Sequence, residues 1–231
     1  MTTATIPGVA YGPSQLAAIA VLAVGICVIL VYGRWARRHV DRAFAVAILA
    51  IALPIEIAQF MPTEWDLQTS LPLQLCDWAW VVAVIALWTR SRLAAALCYF
   101  WGLTLTTQAI MTPALTTPFP GLRWWLFWVM HLLIVWAAVY VVWAMKLFPT
   151  WRGYVQCVAI TLAWAAVTFS FNIVAGTNYG YLNAKPNHAQ ALDLLGPWPL
   201  YLLMEVGIAA AVWALLTWPW TRREESGELV L

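Results

Sequence analysis

Seven apolar stretches of about 20 residues each constrain this chain more than any other feature of it. They cover 15–33, 42–61, 71–89, 93–112, 123–146, 153–175 and 199–218. A segment in hydrocarbon must satisfy its own backbone N–H and C=O groups, so such stretches predict helices. The expected fold is all-α and polytopic, a single transmembrane domain over residues 1–231 with seven spans. Composition supports this: 64% of residues are hydrophobic and 10% charged, against about 25% charged in a soluble domain. Seventeen tryptophans suit aromatic belts at two interfaces.

The basic residues test the layout. Ten of the twelve Lys and Arg (Arg34, Arg37, Arg38, Arg42, Arg90, Arg92, Lys146, Arg152, Arg222 and Arg223) fall on one side of a seven-span arrangement. Only Arg123 and Lys185 fall on the other. The positive-inside rule makes the richer side cytoplasmic, which predicts N-out and C-in. The first stretch has basic residues only after it and no A-x-A site, so it reads as an uncleaved first span. The expected location is the plasma membrane, as a bacterial inner-membrane protein. A net charge of +2 gives no case for nucleic acid.

Depth then follows from direction. Glu56 and Gln59 lie near the outer end of the second span, and Gln74, Cys76 and Asp77 in the outer third of the third. Thr104, Thr106, Thr107 and Gln108 lie in the outer half of the fourth. His131 lies about two turns down the fifth, Asn172 ends the sixth, and Glu205 lies under two turns into the seventh. The inner halves are almost wholly apolar. Buried ionisable groups need partners or water, so one shared wet cavity open to the outside is the economical expectation. Transport needs polar or unwound segments at the midplane, and the inner halves supply almost none. Thr and Gln also serve as hydrogen-bond glue between helices, and Glu205 has Arg123 or Lys185 to pair with.

Among the cysteines, Cys27, Cys98 and Cys157 read as small buried hydrophobes. Cys76 alone sits in the polar layer, with no disulfide partner and no second ligand for a metal. His131 is at a similar depth. An imidazole that takes a thiol proton makes a thiolate nucleophile. Asp77, Asn172 or Glu205 would orient the imidazole. Ser70 and Pro72 suit the start of a helix at Leu71, placing Cys76 in its second turn. His39 reads as solvated and His188 as a surface residue. The 176–198 loop is long for a compact membrane protein, and long loops are often lids or binding segments. Its Asn178, Tyr179, Asn183 and Lys185 suit the headgroup layer.

The segments LPLQLCDW (71–78), FWVMHLLIVW (127–136), FNIVAGTNYGYLNAKP (171–186) and LLGPWPLYLLMEV (194–206) resemble the YwaF-like bacterial integral membrane family. That family is similar to the vertebrate transmembrane acyltransferase that remodels ether phospholipids, and more distantly to the androgen-induced membrane hydrolases. The resemblance implies a Cys–His pair within the membrane, with Cys76 as nucleophile and His131 as base. Where the family pattern reads LPLHLC, this chain has Gln74. The implied function is a lipid acyltransferase or acyl hydrolase acting on outer-leaflet phospholipid or lysophospholipid through an acyl-thioester, without a cofactor. Gln74, Asn172 and Asn178 are candidate oxyanion donors, and Tyr179, Lys185 and Glu205 candidate substrate contacts. The alternative is a non-catalytic lipid-binding or scaffold protein using the same outer cavity.

Overall fold

The computed structural model describes residues 5–6, 9–10, 12–35, 38–111, 113, 119–185 and 191–225. Apart from a short antiparallel ribbon, β1 (Thr5–Ile6) with β2 (Val9–Ala10), the regular structure is helical. The long helices are α1 (Pro13–Tyr32), α2 (Arg38–Gln59), α3 (Leu75–Thr89), α4 (Arg92–Trp101), α6 (Leu122–Trp143), α7 (Trp151–Ala175) and α8 (Leu200–Glu225). Helix α4 runs on through a π turn at Gly102–Thr106 into α5 (Thr107–Met111).

Five helical segments are long and apolar enough to cross a membrane: Gln15–Tyr32, Arg92–Met111, Trp124–Trp143, Trp151–Ala175 and Leu200–Arg222. The other two expected spans do not reach that standard. Leu75–Thr89 is apolar but has only 15 residues. Arg38–Gln59 has 22 residues and carries Arg38, Asp41, Arg42 and Glu56.

Helix ends follow local chemistry. Thr150 caps α7 by accepting from Gly153 N–H at 3.1 Å, and Gly176, at φ 66°, takes the left-handed position that ends it. Helix α3 starts four residues later than the sequence suggests. Its N-cap is Gln74, whose N–H donates to Asp77 at 2.8 Å. Ser70 instead accepts from Asp66 N–H at 2.9 Å within the preceding turn. Cys76 therefore sits in the first turn of α3 rather than the second.

The core lies where α2, α3, α4 and α6 meet. Helix α4 approaches α6 closely because residue 102 is Gly: a Cβ there would lie 2.6 Å from the Ala138 Cβ and 3.2 Å from the Ile134 carbonyl. Thr104 accepts from Trp213 Nε1 at 3.1 Å and donates to Phe100 O at 2.6 Å. Thr161 accepts from Trp101 Nε1 at 3.0 Å. These threonines join helices rather than line a cavity. Gly102→Ala is expected to cost about 1–3 kcal/mol by overpacking, read as a lower unfolding midpoint in detergent. Adding Ala138→Gly should restore most of it; no restoration would move the strain elsewhere.

At one end of the bundle Asp41, 1% exposed, accepts from Arg90 Nε at 3.1 Å and from the Tyr140 hydroxyl at 2.8 Å. A second Arg90 nitrogen, Nη2, also meets Asp41. One carboxylate thus ties α2 to α6 and to the C-cap of α3. Helix α1 packs mainly on α6. Its other faces stay open, and so Cys27 is exposed, unlike the buried Cys98 and Cys157.

Candidate functional site

The first turn of α3 carries Gln74, Cys76 and Asp77 to the end of the bundle opposite Asp41. Cys76 Sγ lies 3.7 Å from Asp77 Oδ1 and donates to it. Cys76 is exposed. Glu56 is within electrostatic reach of both Cys76 and Asp77. Gln59 Nε2 donates to Glu56 at 3.5 Å. The buried Trp80 indole lies beside Glu56. The start of α3 and the end of α2 thus gather a thiol, two carboxylates and two amides.

His131 is in the α6 core, 7% exposed. Its Nδ1 lies 2.7 Å from Phe127 O, and its ring lies 4.0 Å from the Phe127 ring. A carbonyl can only accept, so the proton sits on Nδ1 and Nε2 keeps its lone pair. No hydrogen bond joins His131 to Cys76 in the described residues.

The loop after α7 folds over the start of α3 and is held by its own amides. Asn172, 2% exposed, donates to Tyr179 O at 2.9 Å and Asn183 Oδ1 at 2.8 Å. Its oxygen accepts from the Thr177 hydroxyl at 2.8 Å and Tyr179 N–H at 2.9 Å. Both donors and both lone pairs are used, so Asn172 has nothing left to offer an oxyanion. Asn178 likewise accepts from Asn183 and Ala184 N–H and donates to Ala184 O. Gly180, at φ 65°, places its N–H 2.9 Å from Gln74 Oε1. Tyr179 donates to Leu67 O at 2.7 Å and accepts from Leu71 N–H at 3.0 Å. Burial raises the Tyr179 phenol above its ordinary pKa. The Tyr181 phenol is raised by burial and then by nearby Cys76.

Two other expected residues lie apart. Lys185 pairs with Asp193 at 3.5 Å and sits over the Tyr201 ring, not against Glu205. Glu205 is half-buried on α8 near Tyr201. The Arg123 side chain and His188 fall outside the described residues, whereas His39 is exposed as expected. No three His, Cys, Asp or Glu side chains converge as metal ligands among the described residues. The expected single polar cavity is therefore divided. One group surrounds Cys76, a second is spent inside the loop, and His131 stands in the core.

The family model described as the TMEM164 family matches residues 10–217. The chain belongs to the TMEM164 family. The match takes in every long helix, the loop over α3, Cys76 and His131. It makes the chain a multi-pass membrane protein. No curated protein and no solved structure matches the chain.

Sequence reasoning missed Asp41 as a structural centre. The available signal was one acid set among the basic residues 34–42. It also missed that the fold of the loop brings Tyr181 within electrostatic reach of Cys76.

Proposed function

We propose that this TMEM164-family protein is a lipid acyltransferase or acyl hydrolase with Cys76 as its nucleophile. It would cross the plasma membrane seven times, N-out and C-in, with Cys76 toward the outer surface. The observation that carries this reading is an accessible thiol in the first turn of α3, hydrogen-bonded to a carboxylate. The first N–H groups of a helix have no partner in the helix, and its positive end favours a thiolate.

In the proposed cycle the thiol gives up its proton and Sγ attacks the ester carbonyl of a phospholipid. The carbonyl–oxygen bond breaks, the acyl group stays on sulfur as a thioester, and the lysolipid leaves with a proton. A second lysolipid hydroxyl then takes the acyl group in transfer, or water takes it in hydrolysis, and the thiol regains its proton. His131 is the base in this reading, its Nε2 lone pair set by the Phe127 carbonyl. Ordered water would link it to Cys76. Gln74 and Asn178 remain as oxyanion donors: the Gln74 Oε1 is held by Gly180 while its NH2 makes no hydrogen bond among the described residues, and Asn178 donates one of its two amide hydrogens, to Ala184 O. Oxyanion donors usually supply a large share of the stabilisation in acyl transfer.

The test is a direct search for the covalent intermediate. Purified protein is incubated with a bilayer phospholipid and its intact mass measured. The expected result is an acyl increment on Cys76 that hydroxylamine removes. That no hydrogen bond joins His131 to Cys76 among the described residues favours a second reading, a protein that binds lipid without chemistry. That reading predicts no adduct and a thiol that reacts with iodoacetamide no faster than Cys27.

A further inference from the structure

Helix α1 leaves a groove beside its seam with α6. The groove is walled by Ala17 and Val21 of α1 and by Trp124, Trp125, Trp128 and Trp136 of α6. It holds about 780 Å³, within the roughly 300–1,000 Å³ typical of ligand pockets. One end is closed. Trp136 donates its Nε1–H to Leu22 O at 3.1 Å. Its ring lies so close to Gly25 that a Cβ there would come within 2.2 Å.

The dimensions select the occupant. From Trp124 to Trp136 the helical rise is about 18 Å, and one leaflet of hydrocarbon is about 15 Å deep. The groove therefore starts near one end of α6 and stops near the bilayer centre. An extended hydrocarbon chain fits that length.

The groove opens sideways, with Val21 50% and Trp125 48% exposed. In a bilayer the surroundings on that side are lipid tails, and an apolar groove holds no water. Trp128 adds a second, independent observation. It is 1% exposed and lines the groove, and its buried indole N–H has no acceptor among the described residues. Buried Trp N–H groups usually find a partner, and an ester carbonyl supplies one.

We propose that the groove between α1 and α6 binds an acyl chain of a membrane phospholipid, its methyl end against Trp136. This site is separate from Cys76 and stands whether or not Cys76 does chemistry.

The test uses the full chain in nanodiscs of phosphatidylcholine doped with phosphatidylcholine carrying a mid-chain diazirine. After irradiation, labelled peptides are mapped by mass. Label is expected to concentrate on 13–21 and 124–136, above the level on α7, whose Val167 and Val174 are 66% and 89% exposed and report ordinary boundary lipid. Ala17→Trp and Val21→Trp fill the groove from exposed positions. Each should lower groove labelling roughly ten-fold, about 1.4 kcal/mol of binding, with α7 labelling unchanged. Cys76→Ala should leave groove labelling intact, which separates this proposal from the catalytic one. Even labelling over all lipid-facing helices, or groove labelling unaffected by both Trp variants, would overturn it. So would crosslinks between copies through 13–21 in place of lipid adducts.

Discussion

Cys76→Ala is expected to remove acyl turnover of reconstituted lipid altogether, with the fold and detergent stability of the parent retained. The side chain is exposed in the first turn of α3, so removing sulfur leaves no cavity in the core. His131→Ala is expected to lower turnover by roughly 10²–10⁴-fold, the usual contribution of a positioned acid–base group. Residues that act as one unit are not additive, so the double variant should be no slower than Cys76→Ala alone. Asp77→Asn is the informative third arm, because Asp77 is the group the thiol touches. If Asp77→Asn removes turnover and His131→Ala does not, the carboxylate is the base and the imidazole a core residue. Turnover by Cys76→Ala at the parental rate would end the catalytic reading and leave lipid binding in its place. The measurement is release of labelled lysolipid from proteoliposomes, alongside tryptophan fluorescence as a folding control.

The second large effect concerns stability. Asp41→Ala is expected to destabilise the protein by about 3–5 kcal/mol, the cost of breaking a buried ion pair from one side. The substitution strands two groups, the Arg90 guanidinium and the buried Tyr140 hydroxyl. On a chain of this size that is roughly 6–20 °C in unfolding midpoint. Asp41→Asn keeps an acceptor for Tyr140 and should lose less. Arg90 has φ 58°, a left-handed conformation that Asn tolerates better than most residues. Arg90→Asn combined with Asp41→Leu removes both charges together and should recover much of the loss. If Asp41→Ala unfolds within about 2 °C of the parent, the carboxylate is well solvated and the tie is weak.

The helices were legible because hydrocarbon leaves a chain few choices. The apolar runs at 15–33, 123–146, 153–175 and 199–218 lie close to α1, α6, α7 and α8. The start of α3 was not, because its cap depends on Gln74 meeting Gly180 more than a hundred residues away. Adjacency was not legible: no hydrogen bond joins Cys76 to His131 among the described residues, and α3 is tied to α6 through Asp41, Arg90 and Tyr140. That tie was hidden by reading residues 34–41 as a loop. The string NIVAGTNYGYLN was rightly singled out, though its amides turn inward onto their own backbone. Cys27 was read as buried because it is apolar, while α1 shows most of its surface to lipid.

That peripheral packing of α1 bears on how the protein is made. Its partner surface on α6 is translated more than a hundred residues after Gly25. At about 5–20 residues per second the wait is several seconds or longer. Helix α1, PSQLAAIAVLAVGICVILVY, has no charged residue and closes its own backbone hydrogen bonds, so it is stable in the bilayer alone. It can stand by after insertion and dock when Trp136 emerges to meet the bare backbone at Gly25, so α1 waits in the bilayer while α2 to α5 are made.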